Sequence, residues 1–271
     1  MSHKTLIDGT GYNISGGNTL VGGTGYGVSG GKTLIDGTGF NVNFKSATQI
    51  RDLPIGTIVY LNVDNTPKEF VLVHKGLPSY PLYDLSCDGA WLMMYNTYTT
   101  RQWASSSINY SASDVHNYLN STFLSKLDSS IQSIVKEVKL PYTSAGGTAV
   151  SGENGLVTKV FLPAVREVGF YYGSGSGVAK DGEIWTYFMS TANDGPDTKR
   201  IAKTVAGAAS NWWTRTGTLA SNGSGTMSSY VFGVSSTGDK LYVSLPGYIY
   251  IRPTFIISLD TLVDVNGNIL A

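Results

Sequence analysis

Three near-copies of a 14-residue unit open the chain, at Lys4–Gly17, Asn18–Gly31 and Lys32–Phe44. A unit this short and this rich in glycine cannot enclose a core by itself; it has to stack on its own copies or on other subunits. The copies align without gaps at Leu6, Leu20 and Leu34, at Ile7, Val21 and Ile35, at Tyr12, Tyr26 and Phe40, and at Ile14, Val28 and Val42. Each runs from a short apolar piece through Asp-Gly or Gly-Gly to a second apolar piece. Both dipeptides supply the positive φ that tight hairpins need. The pattern predicts a meander or solenoid of strands of about three to five residues, too short to persist alone. Homo-oligomeric stacking, with a trimer favoured, would supply the missing burial. A flexible linker has no need of Leu, Ile and Tyr in register. Residues 1–44 are therefore read as a docking and oligomerisation segment, and 45–271 as the domain that holds the function.

That second part is long enough to bury a substantial core. Charged residues make up only 14% of the 271, against about 25% in an average soluble domain. Solubility then rests on Ser, Thr, Asn, Tyr and Gly, as on extracellular and virion surfaces. Net charge is zero and there is no basic run, which excludes the electrostatic footprint of a nucleic-acid binder. Lys199, Arg200 and Lys203 read as a solvated helix face. No apolar run approaches the ~20 residues of a membrane span, so no membrane insertion is expected. The first residues lack the apolar stretch of a signal peptide. The chain is then expected to be made in a cytoplasm and left there, or to leave by another route, such as inside a virus particle released by lysis of the host. The single cysteine, Cys87, permits no internal disulfide and reads as a small buried apolar residue.

Along the main domain, Thr57–Val63 and Lys68–His74 alternate as a hairpin around Asp64–Pro67, and Ala90–Tyr95 reads as a buried strand. Ser113 is placed to cap a helix bearing Val115, Leu119 and Phe123, and Asp128 to cap a second with Ile131, Ile134, Val135 and Val138. Lys159–Leu162 reads as a strand, Gly173–Gly177 as a loop and Glu183–Ser190 as a short helix. Trp212–Arg215, Tyr230–Ser235, Leu241–Ser244 and Tyr248–Ile257 read as strands. The expected class is α+β, two helices set apart from a mainly antiparallel sheet.

Several landmarks form one pattern: Val59–Asn62, Glu69–Met93, Arg101–Trp103, Asp114–Leu127, Val160–Phe170, Asn211–Arg215, Tyr230–Gly238 and Tyr250–Ile257. Together they resemble the C-type-lectin-like domain of phage and bacterial proteins over about residues 55–260. The glycine-rich repeats are similar to those of tail-associated structural proteins of phages that infect Gram-positive bacteria. Relatives of that domain include the variable proteins of diversity-generating retroelements and the formylglycine-generating enzymes. The resemblance implies a C-type-lectin-like fold with two helices and mainly antiparallel strands, displaying side chains from its C-terminal stretch. The oxidase chemistry of the enzyme relatives needs a reactive cysteine pair near the C-terminal end, which this chain lacks. It also lacks the Glu-Pro-Asn, Gln-Pro-Asp and Trp-Asn-Asp motifs of calcium-dependent sugar binding.

The chemistry-bearing residues form no catalytic or metal motif. His3, His74 and His116 have no ligand spacing, and His116 reads as a helix-packing residue. No Gly-x-Ser-x-Gly elbow is present. Gly173–Gly177 lacks the Lys-Ser/Thr of a phosphate loop. Asp181, Glu183 and Glu153 cannot be paired across a pocket from sequence. No catalytic residue, metal or cofactor is therefore assigned. Thr214–Tyr250 is more informative: it is rich in Ser, Gly, Thr and Tyr, and Arg215, Asp239 and Lys240 are its only charges. That is the composition of a paratope, in which Tyr gives amphipathic contact area at low entropic cost. The candidate ligand contacts are Asn222, Ser224, Tyr230, Phe232, Lys240, Tyr242, Tyr248 and Tyr250. Trp212, Trp213 and Arg252 are read as structural. Adjacent strand residues face opposite sides, so at most one tryptophan is expected in the main core, and Arg252 is expected to anchor loops through carbonyls or a carboxylate.

The reading that follows is a virion-associated receptor-binding protein. Its partners would be a bacterial surface receptor, protein or glycan, and other virion proteins through the repeats. The alternatives are a structural tail or baseplate component and an enzyme acting on cell-wall polysaccharide.

Overall fold

β-Branched and aromatic residues suit a pleated, half-buried surface, and strands are the main regular element of this chain's computed structural model. The described residues are 4–7, 10–13, 18–21, 24–27, 31–35 and 38–42 for the main chain, then 47–144, 148–171, 180–191, 195–218 and 230–271. Each repeat forms one hairpin: β1 (Lys4–Ile7) with β2 (Thr10–Asn13), β3 (Asn18–Val21) with β4 (Thr24–Gly27), and β5 (Gly31–Ile35) with β6 (Thr38–Val42). Pairing Ile7 with Thr10, Val21 with Thr24 and Ile35 with Thr38 leaves Asp8-Gly9, Gly22-Gly23 and Asp36-Gly37 between the strands. Every hairpin is a separate two-stranded sheet, so the units pair within themselves.

Two five-stranded sheets organise the main domain. Sheet I contains β7 (Ile58–Val63), β8 (Thr66–Lys75), β9 (Ala90–Met94), β11 (Val160–Phe161) and β18 (Thr254–Ile257), in the order β11-β18-β9-β8-β7. Sheet II contains β10 (Thr100–Gln102), β14 (Trp212–Gly217), β15 (Tyr230–Val234), β16 (Lys240–Ser244) and β17 (Tyr248–Tyr250), in the order β10-β17-β14-β15-β16. Only the β14–β17 contact in these sheets is parallel. The β7–β8 hairpin turns through Asp64 (φ 52°) and Asn65 (φ 56°), so both central residues take the left-handed conformation of a tight two-residue turn. Between β12 (Ala202–Lys203) and β13 (Ala209–Ser210) a smaller hairpin flanks sheet II.

The stretch expected as one strand, Tyr248–Ile257, is divided at Arg252-Pro253, and its halves enter different sheets. Pro253 has no N–H to offer a ladder, and its carbonyl accepts from Met94 N. Trp91, at the heart of sheet I, meets Tyr83 edge-on at 5.6 Å, Phe161 at 5.7 Å and Trp185 at 5.5 Å, and its Nε1–H donates to Gly76 O. Such an aromatic cluster contributes about 0.5–1.5 kcal/mol per pair beyond area burial.

The expected α+β class with two helices is overturned. Among the described residues the fold is mostly β strands in several sheets, with one helical stretch of 13 residues. That stretch is α1 (Asp114–Tyr118), continued by a π turn, Leu119–Phe123, and a 3₁₀ turn, Leu124–Lys126. Ser113 caps it as expected, its Oγ accepting from His116 N at 3.1 Å. The second segment, Ser129–Ile134, stops after six residues. Asp128 makes no side-chain cap there; its Oδ2 accepts from Asn62 Nδ2 at 2.8 Å. Lys136 N is drawn to Ile256 O, and Val138–Leu140 joins a strand pair with Leu156–Thr158. Sheet hydrogen bonds thus override an apolar spacing that fitted a helix. Glu183–Ser190 likewise holds only a 3₁₀ turn, Thr186–Thr191.

Candidate functional site

A buried polar network surrounds Arg215, a cation in a strand that is buried along its whole length. All five guanidinium N–H groups have acceptors: Pro141 O at 2.9 Å, Leu162 O at 2.9 Å, Glu167 Oε2 at 2.5 Å, Glu167 Oε1 at 2.6 Å and Asp181 O at 2.8 Å. Glu167 also accepts from Tyr83 Oη at 2.6 Å and from Ala164 N at 2.6 Å. Asp181 accepts from Thr143 Oγ1 and Thr216 Oγ1. Tyr83, Glu167, Asp181 and Arg215 are each fully buried, so the cluster ties four chain segments to β14 and presents no surface to a substrate. Sequence reasoning missed it. The signal was Arg215 itself, since a charge between residues of a buried strand requires a counter-charge.

Both tryptophans of this strand are fully buried, where at most one was expected in the core. Elements cover β14 on both faces: Trp213 Nε1–H donates to Arg101 O, whereas Trp212 Nε1–H donates to Arg200 O and its ring lies 4.8 Å from the Arg252 guanidinium. Arg252 anchors through carbonyls, donating from Nε to Met94 O and from Nη2 to Tyr95 O; burial lowers its pKa to about 10. Arg200, expected on a solvated face, is fully buried over the Phe170 ring at 3.9 Å and donates to Gly238 O. Cys87 is buried as expected, and burial pushes its thiol up to about 12.

The candidate contacts lie on sheet II. Register sets Lys240 beside Val234, Val234 beside Trp212, Trp212 beside Tyr250 and Tyr250 beside Thr100. Residues directly opposite one another share a face. The period of two then adds Tyr230, Phe232, Tyr242, Ser244, Tyr248 and Gln102 to that face. Its centre is covered and its two rims are not. At one rim Tyr242 (44% exposed) and Tyr230 (37%) flank Phe232, which is fully buried. The Phe232 and Tyr242 rings are 4.8 Å apart, so Phe232 supports Tyr242 and offers no contact surface. At the other rim Tyr248 is 66% exposed, Tyr250 is half-buried, and Tyr248 Oη donates to Gln102 Oε1 at 3.2 Å. Three strand spacings, ~14 Å, separate β16 from β17, so the structure brings these residues together as two patches. Lys240 is half-buried beside Asp239, whose carboxylate accepts from its main-chain N. Asn222 and Ser224 lie outside the described residues. A cleft of about 510 Å³ between Tyr60, Asn96, Tyr98 and Val205 contains none of the candidates.

Among the described residues, no three His, Cys, Asp or Glu side chains gather in a metal-binding arrangement. His116 packs as expected, edge-on to Tyr110 at 5.1 Å with Asn120 at its Nδ1. Burial lowers both His74 and His116 to about 4. Between pH 6.5 and 4 the unfolded chain therefore binds more protons, and stability present above pH 6.5 is lost as pH falls. Asp181 has the opposite sign. Burial, against the pull of Arg215, raises it to about 6, so acidification from 6 towards 3.8 favours the folded state. Two groups oppose one, and the melting temperature should fall between pH 6.5 and 4.5. Asp181→Asn should steepen that fall. Melting curves across this range test it, and an unchanged or shallower slope would contradict the sign assigned to Asp181.

A family model described as a domain of unknown function (DUF6273) matches residues 88–259, more than half of the chain. No curated protein and no solved structure matches. The matched stretch runs from just before β9 to just past β18 and includes every strand of sheet II.

Proposed function

For a chain that belongs to the DUF6273 family, we propose the role of a virion-associated receptor-binding protein that engages a bacterial surface ligand through the tyrosine rims of sheet II. One observation carries the reading: Tyr230, Tyr242 and Tyr248 stand at 37%, 44% and 66% exposure, at the starts of β15 and β17 and on the edge strand β16 of a sheet whose centre is buried. Large amphipathic rings on a rigid support lose little entropy on binding. Support comes also from the resemblance of the glycine-rich repeats to phage tail proteins, with the hairpins β1–β6 docking the chain on other virion proteins or on further copies. The buried network around Arg215 would hold the rims and stay out of contact with the ligand.

The test is binding of the labelled full chain to a panel of Gram-positive cells. Tyr248→Ala and Tyr242→Ala should each weaken binding by about 30-fold, the effect of losing a hot-spot tyrosine, with unchanged melting temperatures. Binding that survives both substitutions would remove the rims from the contact surface. A folded chain that binds no cell would favour the structural tail role.

A further inference from the structure

Strand β16 closes one edge of sheet II, and the direction of its main-chain groups follows from bonds on the far side of its neighbour. Phe232 O accepts from Thr214 Oγ1 at 2.6 Å, and Tyr230 O accepts from Thr218 N at 3.2 Å. The main-chain groups of Tyr230 and Phe232 therefore point at β14. In an antiparallel ladder the direction alternates residue by residue, so Val231 and Gly233 bond to β16 through their partners Val243 and Leu241. The N–H and C=O of Tyr242 then point outward, where no described strand pairs with them. Two outward groups are already engaged nearby: Lys240 N donates to Asp239 Oδ1, and Ser244 O accepts from Gly247 N.

From this edge we infer that two copies of the chain pair through β16, antiparallel about a two-fold axis at Tyr242, to make one continuous ten-stranded sheet. The strand Lys240-Leu-Tyr-Val-Ser244 is complementary to itself in that register. The two Tyr242 residues exchange both of their N–H···O bonds. Lys240 N and the opposing Ser244 O, which would otherwise need each other, are each already satisfied within their own copy. Lys240, the only charged residue of the strand, faces Ser244 of the other copy instead of another lysine. Leu241 and Val243, both half-buried, meet Val243 and Leu241 across the seam on the other face. A self-complementary edge of this kind gives a closed, isologous pair. The pairing goes beyond receptor binding and does not rest on it, though it would set the Tyr230–Tyr242 rims of two copies side by side.

The test uses the full chain and reads hydrogen exchange at the Tyr242 and Ser244 amides against protein concentration, which separates this edge from association through the repeats. Both amides should gain protection as concentration rises. Ser244→Glu sets a carboxylate opposite Lys240 and should shift the midpoint to several-fold lower concentration; Ser244→Lys should shift it several-fold higher, since opposed like charges destabilise a strand pair. Tyr242→Pro, tolerated where an N–H faces outward, should abolish the concentration dependence. Protection that ignores concentration, shifts of the same sign for Glu and Lys, or an unaltered Tyr242→Pro response would each overturn the pairing.

Discussion

Glu167→Ala is expected to lower the unfolding free energy by about 3–5 kcal/mol, the cost of breaking a buried ion pair from one side. The substitution strands the Arg215 guanidinium, 0% exposed, without its bidentate partner. It also removes the acceptor of Tyr83 Oη and of Ala164 N, and each buried donor left unmet adds about 1–3 kcal/mol. Water cannot take over, because every member is enclosed. Removing both charges together, as Glu167→Leu with Arg215→Leu, should cost less than the sum of the single changes, since the pair acts as a unit. Asp181→Asn should be milder near neutral pH, because burial already disfavours the charge on Asp181. Denaturant midpoints for the set decide the matter, and a loss below about 1 kcal/mol for Glu167→Ala would mean that the network is not the lock described.

The second large effect is expected at Gly238. Its φ is +80°, and a Cβ there would lie 2.0 Å from Asp197 O and 2.9 Å from Asp197 C. The obstruction is main chain and cannot swing aside. Gly238 O also accepts from Arg200 Nε and Asp197 N, so displacing the turn would take one acceptor from a buried arginine. Gly238→Ala should therefore cost about 3 kcal/mol or more, combining backbone strain with the loss of a buried contact. In a domain of this size that is a fall in melting temperature of about 6–12 °C. Gly207→Ala is the control. Its φ is +85°, but nothing lies within 4 Å of a Cβ there, which leaves only the strain of about 1 kcal/mol. Equal effects at the two glycines would mean that the Asp197 contact is not the cause.

Much of sheet I is legible in the sequence because its cues are local. β7 alternates, Phe70–Val73 of β8 is a short apolar run buried throughout, and Ala90–Met94 is an unbroken apolar run, buried at every position. The second helix was misread because Ile131, Ile134 and Val135 satisfy a helical spacing, while the bonds that stop it come from the distant Ile256. Exposure at the candidate site divides for a related reason. Phe232 and Tyr242 are neighbours across one ladder, yet Phe232 sits in the middle of an inner strand and Tyr242 on an edge strand, while the exposed Tyr230 and Tyr248 are the first residues of inner strands. Composition singles out Thr214–Tyr250 as rich in Tyr, Ser, Gly and Thr, but strand order is settled by long-range pairing. The same holds for Glu167 and Asp181, which meet Arg215 only once the strands are assembled.

The split at Arg252-Pro253 has a consequence for how the domain comes into being. β17 lies between β10 and β14, and β18 lies between β9 and β11, so both sheets receive an interior strand from the same late stretch of chain. Neither sheet can be finished while residues 248–257 are still inside the ribosome. Pairings so distant in sequence form slowly, and partly assembled sheets expose open edges. Synthesis would therefore run ahead of folding for nearly the whole domain, and a product cut short before Tyr248 would leave both sheets without an interior strand.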